Sequence, residues 1–412
     1  MARETGVAVD AKSSRVPERR TLAAAATAHV LHDGYTDLLY VLLPAWQAEF
    51  GLGYAEVGLL RSSYVGLMAL LQIPASLLAE RFGPVLVLVA GTLLSAACFM
   101  LAGASVGLAS LLAALALGGI GASVQHPIGS SLVSAAFHGA RSRTALGIYN
   151  FTGDLGKMAM PVLAALLLSA MSWRAALWVL GGVGILCAAL VLALAPAHAK
   201  AATSPSGAGT GHLPVEKPPL PAADEPPRHG FALLLAIAMI DTAGRSGFLT
   251  FLPFLLQGKG ASIASIGTAL SLLFVGGAAG KLVCGYLGAR LGLFTTVVLT
   301  EGLTAAGIIA LLPLSVSGAL LVMPLIGLGL NGTSSVLYGT VPELVPPARR
   351  TRAFGVFYTG AIAASAAVPP LVGVVGDTFG VATAMTGIAV AILATVPLSA
   401  LLTPMLPAPA RH

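Results

Sequence analysis

Three ionisable residues, His29, Asp33 and Asp37, stand at four-residue intervals near the start of the chain, with His32 and Thr36 beside them. On an α-helix that spacing gathers them into one stripe. The surrounding residues 22–46 are otherwise mostly apolar, so the stripe must face protein or water. A carboxylate moved between wet and dry surroundings gains and loses a proton with the movement, which is the chemistry needed to couple proton flow to a conformational change. Asp33 is the expected proton-binding group, with His29, Asp37 and the more distant Asp154 as coupling partners. A purely structural Asp33–His29 hydrogen-bonded pair is the alternative. Asp37, further along the segment, is expected to be partly solvated.

Other charged residues interrupt apolar segments elsewhere. Asn150, Asp154 and Lys157 share one segment, and Asp241 and Arg245 another. Both acid–base pairs have helical spacing, so pairing within the helix competes with a functional role. Small residues between Gly147 and Gly156 allow close packing at a moving interface, which favours function for Asp154 and Lys157. Arg61 and Lys281 have no acidic residue three or four positions away. Each is either an anchor for an anionic substrate, a partner for a remote acid, or, for Arg61, a side chain reaching the outer surface. His126, which precedes Pro127, and Tyr338 complete the expected substrate-binding set of Arg61, His126, Asn150, Lys157, Asp241, Arg245, Lys281 and Tyr338. Glu301 is left between peripheral pairing and coupling.

These residues sit in a chain of 412 residues that is 57% hydrophobic and 9% charged. Soluble domains carry about 25% charged residues, so the solvent is lipid. Apolar runs that are rich in Leu, Ala and Gly on every face suit bundled helices rather than barrel strands. Spans are expected at 22–46, 54–79, 85–105, 108–132, 144–170 and 174–195, then at 231–257, 262–288, 293–315, 317–341, 351–376 and 380–405. The chain is thus read as an all-α membrane protein of twelve transmembrane helices in two pseudo-symmetric bundles of six, 22–195 and 231–405. The tails are 1–21 and 406–412. The segment 196–230, crowded with Pro, Gly, Ser and charges, reads as a linker without a core.

Sixteen Lys and Arg fall on the side of the tails and the linker, against Arg174 and Lys259 on the other. By the positive-inside rule both termini and the linker are expected to be cytoplasmic, in a multi-pass protein of the inner membrane. An offset of 209 residues carries Gly58 to Gly267, Arg81 to Arg290, Gly83 to Gly292 and Gly118 to Gly327. That is the mark of an internal repeat.

The turn Leu78-Ala79-Glu80-Arg81-Phe82-Gly83 and its counterpart Gly285-Tyr286-Leu287-Gly288-Ala289-Arg290-Leu291-Gly292 resemble the loop signature G-x-L-a-D-R-x-G of the major facilitator superfamily. The resemblance implies the major facilitator fold and a gating role for Glu80, Arg81, Gly83, Arg290 and Gly292. Glu80 replaces the usual Asp, and Ala289 removes the acid from the second copy. Within that superfamily, His29, Asp33, Pro44, Gln47, Glu49, Phe50, Gly58, Leu71 and Gln72 resemble the fosmidomycin-resistance group of drug exporters. So do Gly121-Ala122-Ser123-Val124-Gln125-His126-Pro127 and Glu343-Leu344-Val345-Pro346. That likeness implies proton-coupled efflux of a small drug-like or anionic organic compound by alternating access.

Proton-linked uptake of an organic anion would use the same residues and is the nearest rival. A membrane-embedded enzyme or a sensor is disfavoured. The sequence has no metal-ligand cluster at recognisable spacing, no Ser-His-Asp set and no soluble catalytic domain, and the linker is short. No Gly-x4-Gly-Lys-Ser/Thr motif is present for ATP. No metal or cofactor is expected. The expected partners are a small-molecule substrate, protons and the lipid bilayer, with no nucleic acid, and the protein is expected to be monomeric.

Overall fold

A computed structural model of the chain describes residues 15–137, 140–196, 228–346 and 349–406. Most of the expected linker, residues 197–227, and most of both tails lie outside the described residues. The first half comprises α1 (Arg15–Phe50), α2 (Tyr54–Leu70), α3 (Gln72–Phe82), α4 (Pro84–Gly103), α5 (Leu108–Ala122), α6 (Gln125–Ala136), α7 (Ala140–Ala170) and α8 (Trp173–Leu194). The second comprises α9 (Arg228–Gly258), α10 (Ile263–Leu311), α11 (Val316–Leu344), α12 (Arg350–Phe379), α13 (Val381–Leu393) and α14 (Thr395–Leu402).

Among the described residues, ten helical segments are long and apolar enough to cross a membrane, or eleven if α2 and α3 count as one span bent by 47°. The twelve expected spans are therefore not all recovered by length and composition. The expected span 22–46 lies within α1, which is 36 residues long. Its stripe of His29, His32, Asp33 and Asp37 depresses its hydropathy and keeps it out of that set.

Three expected spans are broken, and each break just precedes a proline. α2 gives way to α3 ahead of Pro74, α5 to α6 ahead of Pro127, and α13 to α14 ahead of Pro397. A proline has no N–H for the carbonyl four residues back and its ring collides with that carbonyl, so the helix bends or ends there. The expected spans 262–288 and 293–315 instead run on as α10, with a non-helical kink at Gly292. Gly292 has φ of 78° and Gly83, its counterpart in the repeat, φ of 90°. Both signature turns thus use a glycine in the left-handed region, which a side chain would strain.

Glycines set the helix crossings. A Cβ on Gly156 of α7 would collide with the Val30 carbonyl of α1, and one on Gly153 would come within 2.6 Å of both Asp33 Oδ2 and His29 Nε2. Gly147, also expected to serve close packing, meets nothing within 4 Å.

The halves meet mainly from mid-height to the end remote from the termini. Tyr54 and Ala55 of α2 donate their backbone N–H groups to the Asp377 carboxylate of α12, at 2.6 and 2.9 Å. Gly58 abuts the backbone of Pro369 and Pro370. On the other flank, Gly267 of α10 packs on Pro161 and Ala165 of α7, and the Ser271 hydroxyl donates to the Met158 carbonyl at 2.5 Å. Tyr54 also packs edge-on to Phe254, with ring centroids 5.4 Å apart.

Candidate functional site

The close approach of α1 and α7 at Gly153 brings Asp33 against side chains from three helices. Asp33 Oδ2 lies 3.4 Å from His29 Nε2 and 3.3 Å from Lys157 Nζ, while Oδ1 lies 3.7 Å from His126 Nε2. His29 is fixed from its other side, since its Nδ1 is 2.8 Å from the Tyr149 carbonyl and its ring stacks on that of Tyr149 at 4.2 Å. A carbonyl only accepts, so Nδ1 carries a hydrogen. In neutral His29 the Nε2 lone pair then faces Asp33, and a hydrogen bond between them needs one further proton. The Lys157 ammonium lies beside the same carboxylate oxygen as its counter-charge.

His29, Asp33 and His126 offer donor atoms that all lie within 4.8 Å of one another, a set that could hold a metal ion. No such cluster was expected, because His126 is 93 residues from Asp33 in the chain and spacing alone could not show it. The Lys157 ammonium on the same carboxylate opposes a metal cation there.

Lys157 does not pair with Asp154 within its own helix as the spacing allowed. Asp154 instead receives Lys281 Nζ of α10 at 2.5 Å, an ion pair between the halves at mid-height. His126, Lys157 and Lys281 keep 46%, 29% and 39% of their side chains accessible, so the group borders an accessible cleft rather than a closed core.

A second ion pair lies further along α1. The Arg61 guanidinium donates to the Thr36 carbonyl at 2.6 Å and the Tyr40 hydroxyl at 2.8 Å, lies 3.7 Å from Asp37 Oδ1, and sits over the Tyr40 ring at 4.3 Å. Arg61 and Asp37 are both buried. This corrects the expectation that Asp37 is partly solvated, and of the alternatives for Arg61 the pairing with a remote acid is the one seen, not a side chain reaching the outer surface. The paired guanidinium makes dry burial of both tolerable.

The remaining expected residues are dispersed. Arg245 donates to Asn331 Oδ1 at 3.3 Å, and Asp241 is buried. Tyr338 joins an aromatic cluster with Phe354, Phe357 and Tyr358 of α12 rather than the Asp33 group. Asn150 is exposed. In the signature turns Glu80, Arg81 and Arg290 are exposed, with Arg81 over Phe82 and Arg290 over Tyr286, and no ion pair joins them among the described residues.

With this geometry in place, comparison with known proteins identifies the family. The sequence matches the Major Facilitator Superfamily over residues 25–239 and again over 234–412. The chain belongs to the major facilitator superfamily.

As a facilitator it is 26% identical over 386 residues to a protein of Cupriavidus pinatubonensis named "Probable 4-methylmuconolactone transporter", covering 91% of this chain and 87% of that one. It is 25% identical over 278 residues to the fosmidomycin resistance protein of Escherichia coli, covering 66% and 65%. Among solved structures, a bacterial homologue of the human lysosomal transporter Spinster superposes with a TM-score of 0.75 at 17% identity, covering 96% of this chain and 97% of that one. A peptide transporter gives 0.74 at 16%, covering 94% and 95%. At such identities the likeness shows the fold. The relatives are transporters and not enzymes, and the resemblance to the fosmidomycin-resistance group read from His29, Asp33 and the first two spans is thereby supported.

Sequence reasoning missed several residues of this facilitator's site. Tyr149 orients His29 through a backbone carbonyl, which no side-chain pattern announces. Gln125 donates to the Tyr149 hydroxyl at 3.0 Å and was noted only as part of a motif. Asn331, the partner of Arg245, is an amide inside an apolar span and was detectable on that ground.

Proposed function

We propose that the protein is a proton-coupled secondary transporter of a small organic solute, working by alternating access between two six-helix bundles, 22–195 and 231–405, with α1 as a twelfth span. Asp33 is the coupling carboxylate. The observation that carries this reading is the Tyr149 carbonyl on His29 Nδ1, which turns the Nε2 lone pair to Asp33 so that one shared proton would bond the two, beside the partly accessible His126 and Lys157. Moving that carboxylate between wet and dry surroundings would link its proton to the conformational change.

The positive-inside rule puts the termini in the cytoplasm of an inner-membrane protein. The contacts at the remote end then close the outer side, and the cleft opens inward. Lys157 and Lys281 are the proposed anchors for an anionic group, each now held by an acid that a substrate or a proton can replace.

Export in exchange for protons is the direction supported by the likeness to the fosmidomycin resistance protein. It requires the solute to compete with the proton at Asp33. A second reading, uptake of an organic anion together with a proton, is favoured by the ion pair of Lys157 with Asp33. A proton on Asp33 would free Lys157 to hold an anion, so both would bind to one state. The relative named as a 4-methylmuconolactone transporter makes a lactone of that kind a substrate to test.

The test is substrate-elicited collapse of an imposed pH gradient in inside-out vesicles, across drugs, phosphonates and carboxylates, with Asp33→Asn as the control. Proton movement elicited by one class and lost in the variant is expected, and its sense relative to solute flow separates exchange from co-transport. Gradient-driven transport that survives in Asp33→Asn removes Asp33 from the mechanism.

A further inference from the structure

Asp241 of α9 and Glu301 of α10 take no part in the Asp33 group, yet they are 3% and 2% exposed, among the most deeply buried ionisable side chains described. Their carboxyl groups lie within hydrogen-bonding reach of each other. Each also keeps a buried oxygen, Asp241 Oδ2 and Glu301 Oε1, to which no donor is directed among the described residues.

The surroundings supply little else. Thr333 of α11 borders Glu301 and also donates to the Thr300 hydroxyl at 2.7 Å. Arg245, one turn along α9, is the charged group that acts on both carboxyls, but its guanidinium is directed to Asn331. The other elements packed on α9, namely α12, α13, α14 and α1, bring no further ionisable group against the pair among the described residues.

Two carboxylates in contact would set lone pairs against lone pairs, and each unsatisfied buried oxygen costs free energy. A single proton removes both problems at once. It sits on one carboxyl and is donated to the other, giving a charge-assisted O–H···O⁻ hydrogen bond.

We propose that Asp241 and Glu301 form a second proton-binding site, in the C-terminal half, that holds one proton between two carboxyl groups. The site is separate from Asp33 and stands whether or not Asp33 is the coupling group. Arg245 is the cation positioned to replace the proton, because a turn of its side chain from Asn331 toward Asp241 would neutralise the carboxylate left behind. Proton release from the pair and the loss of the Arg245–Asn331 bond between α9 and α11 are thus coupled.

Infrared spectroscopy of the purified protein at neutral pH tests this through the C=O band of protonated carboxyl groups. The wild type should show such a band, and Asp33→Asn should keep it. Glu301→Gln and Asp241→Asn should each lose it, since the new amide donates to the remaining carboxylate and the pair stays bonded without a titratable proton. Selective carbon-13 labelling of glutamate or of aspartate in the wild type should shift or split the band, according to which carboxyl carries the proton, a readout that needs no variant to fold. A band absent from Asp33→Asn, insensitive to both labels, or unchanged in both pair variants overturns the proposal.

Discussion

The Asp377 carboxylate, in the last turn of α12, caps the first turn of α2 in the other half by accepting the backbone N–H groups of Tyr54 and Ala55. A helix N-terminus carries unsatisfied donors and partial positive charge, so a carboxylate there is worth about 0.5–2 kcal/mol. What is unusual is that the cap comes from the opposite half. The carboxylate serves these two donors only while the two halves are together, and the cap therefore favours the closed arrangement of the remote end.

Removing the carboxylate with Asp377→Ala should shift the population toward opening at that end. Phe254, which is buried beside Tyr54, is a reporter site. With Phe254→Cys in place, a membrane-impermeant thiol reagent applied from the side opposite the termini should label the Asp377→Ala protein several-fold faster. The native Cys98, Cys187 and Cys284 are buried and give a low background. Equal labelling rates would mean that the cap does not hold the gate.

The crossing of α1 and α7 predicts a contrast between two glycines. Gly156→Ala drives a methyl group into the Val30 carbonyl, whereas Gly147→Ala has open space. Overpacking of this kind costs roughly 1–3 kcal/mol, and the strain falls within one turn of Asp154 and Lys157. Gly156→Ala should lower the thermal unfolding midpoint in detergent and reduce transport, and Gly147→Ala should leave both unchanged. Comparable losses at the two positions would show that the crossing is not set by Gly156.

Most of the helical spans, the glycine turns at Gly83 and Gly292 and the approach of Asp33 to His29 were legible in the sequence, because hydropathy, repeat offset and helical spacing are local signals. The partners of the charged residues were not. Asp154 and Lys157 have the spacing of an intrahelical pair, yet one reaches Lys281 across the halves and the other reaches Asp33 across α1. An intrahelical pair competes with any cation or acid that a neighbouring helix brings close, and that depends on crossings set by Gly153 and Gly156. The breaks ahead of Pro74, Pro127 and Pro397 were within reach, since proline's missing donor acts four residues back along the same chain.

The Lys157–Asp33 contact should behave as a partly buried pair in a thermodynamic cycle. Breaking a fully buried pair by removing one partner costs about 3–5 kcal/mol, while removing both charges is far cheaper, and the 29% accessibility of Lys157 lowers that cost here. Lys157→Met should therefore be destabilising, and Asp33→Asn introduced into it should recover part of the loss, as read by thermal unfolding. Additive losses would show that Lys157 and Asp33 do not share an interaction, and would point to Asp37 or Asp154 as the partner of the ammonium.

Lys281 tethers the halves through Asp154, and its proposed role as an anchor for an anionic solute is separable from that tether. Lys281→Gln keeps a hydrogen-bond donor toward Asp154 but removes the charge, so it weakens the tether only in part and abolishes the electrostatic anchor. An ion-paired hydrogen bond contributes about 1.5–3 kcal/mol, or roughly a tenfold to hundredfold change in affinity at about 1.4 kcal/mol per decade. Binding of an anionic substrate to Lys281→Gln should fall by that order, while a neutral analogue should lose little. If both ligands weaken equally, the lysine serves the tether, and Lys157 remains the anchor to be tested in the same assay.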